Sequence, residues 1–211
     1  MLWEKHKELA IALRNQGLAD CLAARFSLRT IDLKLFGEPV TFAHIVVSKS
    51  QQSVEKLTKG YLLWQSPSFD PPKGHAPFTQ LIDDQLPNHQ PALSRLIQSL
   101  NLVNKSMVRE LKWLESLAPK PPMVAEDKRG NLQPLEIIQE NTEYPYWSVA
   151  QKSLVAPAQG IKLLNHGVRA FKALRNYLTV LGESDPPEYG NQISDFLKHH
   201  AMSTEITEWP Q

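Results

Sequence analysis

Apolar positions recur along most of this chain at intervals of three and four residues, the spacing of one face of an α-helix. Two stretches keep it up over many turns. From Pro91 to Ala118, the residues Leu93, Leu96, Leu100, Val103, Met107, Leu111, Leu114 and Ala118 fall on one side. Pro91 suits a first helical turn, where a missing N–H costs nothing. Such a helix is about 40 Å long at 1.5 Å per residue, enough to cross a domain and form the backbone of its core. From about Ala158 to Leu181, the stripe is Ile161, Leu164, Val168, Phe171, Leu174, Leu178 and Leu181, with Gly182 placed for a C-terminal cap. Shorter stretches follow the same rule. Leu2, His6, Leu9 and Leu13 predict an N-terminal helix that breaks at Gly17, with Leu18, Cys21 and Leu22 on a further short turn. Ser50 reads as an N-cap for a helix carrying Val54, Leu57, Tyr61 and Trp64. Short helices are expected over Phe78–Leu86 and Asn191–Met202, the latter burying Ile193, Phe196 and Leu197.

Between the first two helices the period changes to two. In Arg25–Phe36, Ile31, Leu33 and Leu35 alternate with Asp32 and Lys34, the signature of a half-buried strand. Gly37-Glu38-Pro39 supplies a turn, and Val40–Val47 is rich in β-branched and aromatic residues. A second hairpin is read around Lys128-Arg129-Gly130-Asn131, flanked by Met123–Ala125 and Leu135–Ile138. Clustered prolines (Pro67, Pro71, Pro72 and Pro77; Pro119, Pro121 and Pro122; Pro186 and Pro187) punctuate the chain, because proline continues neither a helix nor a central strand. The fold class expected is therefore α+β and helix-rich: two long amphipathic helices packed on a small antiparallel sheet. Residues 1–211 read as a single domain with a loosely attached segment at 183–211.

Composition narrows the function. With 23 basic and 22 acidic residues the formal charge is +1, which gives no global pull toward nucleic acid or an anionic membrane. Cys21 is the single cysteine, so no internal disulfide forms. The opening residues carry charge every few positions, unlike a signal peptide, and no apolar run is long enough to span a membrane. A cytoplasmic location is expected.

The chain carries none of the strong local signatures of chemistry: no phosphate-cradling glycine loop, nucleophile elbow, HExxH or CxxC. No catalytic residue, metal or cofactor is assigned. His199 and His200 are adjacent, so on a helix they point about 100° apart and make a poor ligand pair. Cys21 lies on the apolar stripe and reads as a small buried hydrophobe. Glu126-Asp127 and Glu136, Glu140 and Glu143 read as solvated acids at a turn and strand rim. The polar side of the 158–181 helix is another matter. It carries Lys162, His166, Arg169, Lys172 and Arg175 and no acid, while Glu183–Gln211 holds six acids against one base. Lys162, Arg169, Lys172 and Arg175 are candidate binding residues for phosphate or an acidic partner, unless the acidic tail covers them. Trp3 and Trp209 lie near the termini, where burial is hardest, and are candidate interaction residues.

The stretch Arg25–Val47, with Leu28-Arg29, Ile31, Leu33, Gly37-Glu38-Pro39 and Val46-Val47, resembles the central hairpin of chorismate lyases and of the related effector-binding domains of GntR-type regulators. It covers 23 of the 211 residues. The resemblance implies that Arg29 helps hold a ligand carboxylate. That family continues with further strands, where this chain reads as mostly helical.

Taken together, the sequence predicts a non-catalytic protein-interaction module, such as an adaptor or accessory subunit of a bacterial assembly, with a protein partner. Two alternatives stand beside it. One is a nucleic-acid-associated protein using the basic face of the 158–181 helix. The other is a small-molecule-binding or lyase-like protein built on the hairpin with Arg29. Partner identity and oligomeric state stay open at this point.

Overall fold

The computed structural model describes residues 2–29, 34–35, 38–39, 43–66, 69–71, 96, 98, 107–116, 124–126, 132–134, 146–148, 153–155, 161–184 and 187–200. Five helices carry the fold: α1 (Leu2–Arg29), α2 (Ala43–Gln65), α3 (Met107–Ser116), α4 (Ile161–Gly182) and α5 (Pro187–His199). Extended pairing among the described residues is confined to three separate antiparallel ladders. These join β1 (Lys34–Leu35) to β2 (Glu38–Pro39), β3 (Val124–Glu126) to β4 (Leu132–Pro134), and β5 (Tyr146–Ser148) to β6 (Ser153–Val155). They form no common sheet, and the helices pack on one another. The α+β expectation of two long helices on a small antiparallel sheet is therefore overturned: the described core is all-helical.

The centre of that core is α2, not the helix expected over Pro91–Ala118. Val46, Val47, Val54, Leu57, Tyr61, Leu62 and Leu63 are all buried, and so are Ser48, Ser50, Ser53, Thr58 and Lys59. α2 shows no clean apolar stripe, because polar residues at its inner positions blur the pattern and none of its described side chains is fully exposed. Its buried polar groups are mostly satisfied locally. Ser53 Oγ donates to the Gly17 carbonyl at 2.7 Å, Thr58 Oγ1 to the Val54 carbonyl at 2.7 Å, and Lys59 Nζ pairs with Glu55 at 2.6 Å. Ser50, expected as an N-cap, lies inside the helix.

The first predicted strand pair dissolves for the same reason. Ala24 and Leu28 continue the buried face begun by Ala10, Arg14, Gly17, Leu18 and Cys21, so Arg25–Arg29 is the last turn of α1. Val46 and Val47 sit at helical spacing from Ser50 and Val54, so tertiary burial overrides their β preference. Among the described residues of this stretch, Lys34–Leu35 pairs with Glu38–Pro39. Gly17 does not break α1. It lies where α1 crosses α2, and a Cβ there would come within 2.8 Å of Leu57 Cγ. The predicted stripe of Leu2, His6, Leu9 and Leu13 is correspondingly out of phase, and Leu9 is exposed.

α4 matches the predicted stripe closely. Phe171, Leu174, Leu178 and Leu181 are buried, together with Ala170, Ala173, Tyr177 and Val180. α5 begins at Pro187, earlier than expected, with Glu188 in its first turn and Lys198 and His199 in its last, all favourable placements. It buries Tyr189, Ile193 and Leu197 against the bundle, and its Ser194 Oγ donates to the Gly182 carbonyl at 2.9 Å, closing the end of α4. Of the helix predicted over 91–118, Leu96 and Gln98 are helical, and α3 turns Met107, Leu111 and Leu114 into the core. Gln51 Nε2 ties α2 to the Leu114 carbonyl at 2.8 Å. The helix expected over 78–86 lies outside the described residues.

Candidate functional site

The predicted basic strip on α4 is only partly open. Arg169 forks onto a carboxylate of α3: its Nε donates to Glu110 Oε2 at 2.7 Å and its Nη2 to Oε1 at 2.9 Å. The same guanidinium lies 3.8 Å from the centre of the Trp113 ring, and His166 meets that ring edge-on at 5.6 Å. Glu110 and Trp113 are one turn apart on α3, and His166 and Arg169 one turn apart on α4, so the two helices zip together at this point. The guanidinium holds the Glu110 carboxyl below its usual range, chiefly by donating hydrogen bonds to it, and the Arg169 guanidinium is raised in turn. Arg169 is thus a structural clamp. The acid that engages it comes from α3. Lys172 is exposed and Arg175 half-buried on the following turns. Lys162 lies in the first turn of α4, where only the backbone is described.

The other predicted residues do not assemble with these. Arg29 ends α1, so no strand presents it, and of the stretch that carries the hairpin resemblance the described strand pairing is that of Lys34–Leu35 with Glu38–Pro39. Trp3 sits in the first turn of α1, described in its backbone alone, and Trp209 lies outside the described residues. Cys21 is fully buried, and loss of solvent pushes its thiol up to about 12, which leaves no nucleophile at neutral pH. Among the described residues no group of three or more His, Cys, Asp or Glu is placed to hold a metal ion. No helix described is long and apolar enough to cross a membrane.

Two features were missed by pattern alone. The first is the outer face of α1. Leu9 and Phe26 are 43% and 65% exposed. Between them Ala12, Asn15, Gln16 and Ala19 are exposed and Ala23 is half-buried, with no charge on that face. Leu9, Ala12, Gln16, Ala19, Ala23 and Phe26 follow one another at alternating intervals of three and four, the spacing of a helix–helix seam. At 1.5 Å per residue the seam runs about 26 Å. The signal was present in the sequence, but Leu9 had been assigned to the inner face.

The second is a polar cluster on the inner side of α1. Arg14 is 6% exposed, and its Nε has no hydrogen-bond partner. The guanidinium carbon lies 5.6 Å from the ring centre of the fully buried Tyr189, whose hydroxyl donates to the Leu57 carbonyl at 3.0 Å. Tyr61 and Trp64 flank that ring at 6.0 and 5.7 Å, and the Lys7 ammonium sits 5.1 Å from the Trp64 ring. His6 adds a buried Nδ1 with no hydrogen-bond partner. Desolvation lowers the Arg14 guanidinium, opposed only by Tyr189.

No protein family model matches this chain, and no curated protein or solved structure shows significant similarity to it.

Proposed function

We propose that the protein is a non-catalytic interaction module that docks a partner helix along the outer face of α1. One observation carries this reading: an uncharged seam from Leu9 to Phe26, at coiled-coil spacing, on the side of α1 opposite the bundle. Exposed phenylalanine and leucine joined by small residues let a second helix approach closely, and charge depletion is what distinguishes the centre of an interface from ordinary surface. The alternative reading, phosphate binding by the basic strip, is weakened because Arg169 is committed to Glu110 and Trp113.

The test is capture by immobilised full-length protein from the native lysate, comparing wild type with Ala19→Glu, Phe26→Asp and Lys172→Glu, alongside sedimentation of the purified chain. Helical circular dichroism should be unchanged in all three variants, because each site is exposed. The same partner, or self-association, should be lost in the two α1 variants and kept in Lys172→Glu. Loss in Lys172→Glu alone, or equal behaviour of all four proteins, contradicts the reading.

A further inference from the structure

Arg14 poses a problem that the interaction surface does not solve. A guanidinium keeps its charge when buried, and a buried charge is tolerated only when something answers it. Arg14 reaches the inner side of α1 with 6% of its surface open, and its Nε has no hydrogen-bond partner. No carboxylate among the described residues pairs with it. On α1 itself Glu4 and Glu8 are exposed, and Asp20 is engaged by Lys49 and Lys56. The Tyr189 ring at 5.6 Å answers it in part. That ring cannot swing away to make a better contact, because its hydroxyl is held by the Leu57 carbonyl and its flanks by Tyr61 and Trp64.

The neighbours add to the positive character. Lys7 lies over Trp64, the ring packed on Tyr189. His6, two turns earlier on α1, holds a covered Nδ1 that also has no hydrogen-bond partner. Arg14 thus stands against a fixed aromatic wall, with a second cation, Lys7, over the neighbouring ring. Arginine presents a planar fork of donors that matches the two oxygens of a carboxylate or phosphate.

We propose that Arg14 anchors a binding site for a small oxyanion, a phosphate or a carboxylate, with Tyr189 as its floor. The ligand answers the charge that the bundle leaves open. This site is on the inner side of α1 and is independent of the outer seam.

The experiment is thermal denaturation of the full chain in inorganic phosphate, in acetate, and in chloride at matched ionic strength. The wild type should show a saturable rise of several degrees in phosphate or acetate beyond chloride; whichever anion produces it names the oxyanion class. Arg14→Met should melt higher than wild type in chloride, relieved of its uncompensated charge, and should not respond to either anion. Arg14→Lys keeps the charge without the fork, and its half-saturating concentration should rise at least tenfold. Tyr189→Phe loses the Leu57 bond but keeps the ring, so it should melt lower yet respond like wild type, which separates a weakened fold from a lost site. The proposal is overturned if wild type responds to neither anion beyond chloride. It is also overturned if Arg14→Met or Arg14→Lys responds as wild type does, or if Arg14→Met melts well below wild type in chloride.

Discussion

Replacing Gly60 with alanine tests the packing of the bundle at its tightest point. Gly60 lies inside α2, where alanine should be favoured by about 1 kcal/mol of helix propensity. Here the added methyl has no room. Its Cβ would stand 2.6 Å from Tyr189 Oη, 3.0 Å from the Ala10 carbonyl oxygen and 3.4 Å from the Arg14 backbone nitrogen. Tyr189 is fully buried between Tyr61 and Trp64, and the Ala10 contact is backbone, so neither can retreat cheaply. Overpacking of this kind costs about 1–3 kcal/mol. Displacing the hydroxyl from the Leu57 carbonyl strands a buried polar group at a further cost of about 1–3 kcal/mol. Set against the propensity gain, the net loss is about 3 kcal/mol, or about 6–12 °C in Tm for a chain of this size. Urea denaturation followed by far-ultraviolet circular dichroism measures it. In a Tyr189→Phe background the colliding oxygen is gone, so Gly60→Ala should cost about 1 kcal/mol less. A Gly60→Ala protein as stable as wild type, or a cost unchanged in the Tyr189→Phe background, refutes the reasoning.

Four further outcomes follow from the same contacts. Asp20 is nearly buried between Lys49 at 3.1 Å and Lys56 at 2.5 Å, whereas the Glu110–Arg169 pair is more open. Asp20→Asn should therefore cost about 1–2 kcal/mol in chemical denaturation and Glu110→Gln about 0.5 kcal/mol; the reverse order would contradict the burial argument. Burial raises Cys21, Tyr177 and Tyr189 in the folded state, so each favours folding below its unfolded-state value. That contribution drains away as pH climbs past the ordinary thiol and then phenol range, so Tm should fall from about pH 9 upward, with the fall steepening above about pH 10. On the acid side, the depressed Glu110 carboxyl contributes above the ordinary glutamate value and is lost as pH falls through its lower folded value, and Arg169→Met should flatten that limb. Cys21 should be inert to a thiol-specific chromogenic disulfide at pH 8 until denaturant is added; prompt reaction of the folded protein would show the site to be open.

How much could be read in advance differs by element. The inner stripe of α4 was legible because that helix has one buried and one solvated side, so Phe171, Leu174, Leu178 and Leu181 stand out against their neighbours. α2 was not, because burial on all sides removes the contrast, and its buried Ser50, Ser53, Thr58 and Lys59 look like surface residues in a pattern. The β-branched pair Val46-Val47 then tipped the reading toward a strand. Of the candidate site residues, Arg169 was identified as a surface cation, but its fork onto Glu110 joins residues far apart in the chain. Arg14 was overlooked because a charged residue on a helix is ordinarily solvated, and nothing local marks one that is turned inward.

The amino-acid sequence alone determined that long stretches of this chain are helical, that its charges nearly balance, and that it lacks the local signatures of familiar chemistry. These are properties of neighbours within a few turns, written by residue type and spacing. The tertiary structure decided which face of α1 is inner and which is outer, that α2 lies at the centre of the described helices, and which cations are already engaged. Those outcomes depend on where other helices cross. A glycine that admits a tyrosine, a carboxylate that meets an arginine across the bundle, and an arginine left without one are relations between distant segments, and no local pattern encodes them.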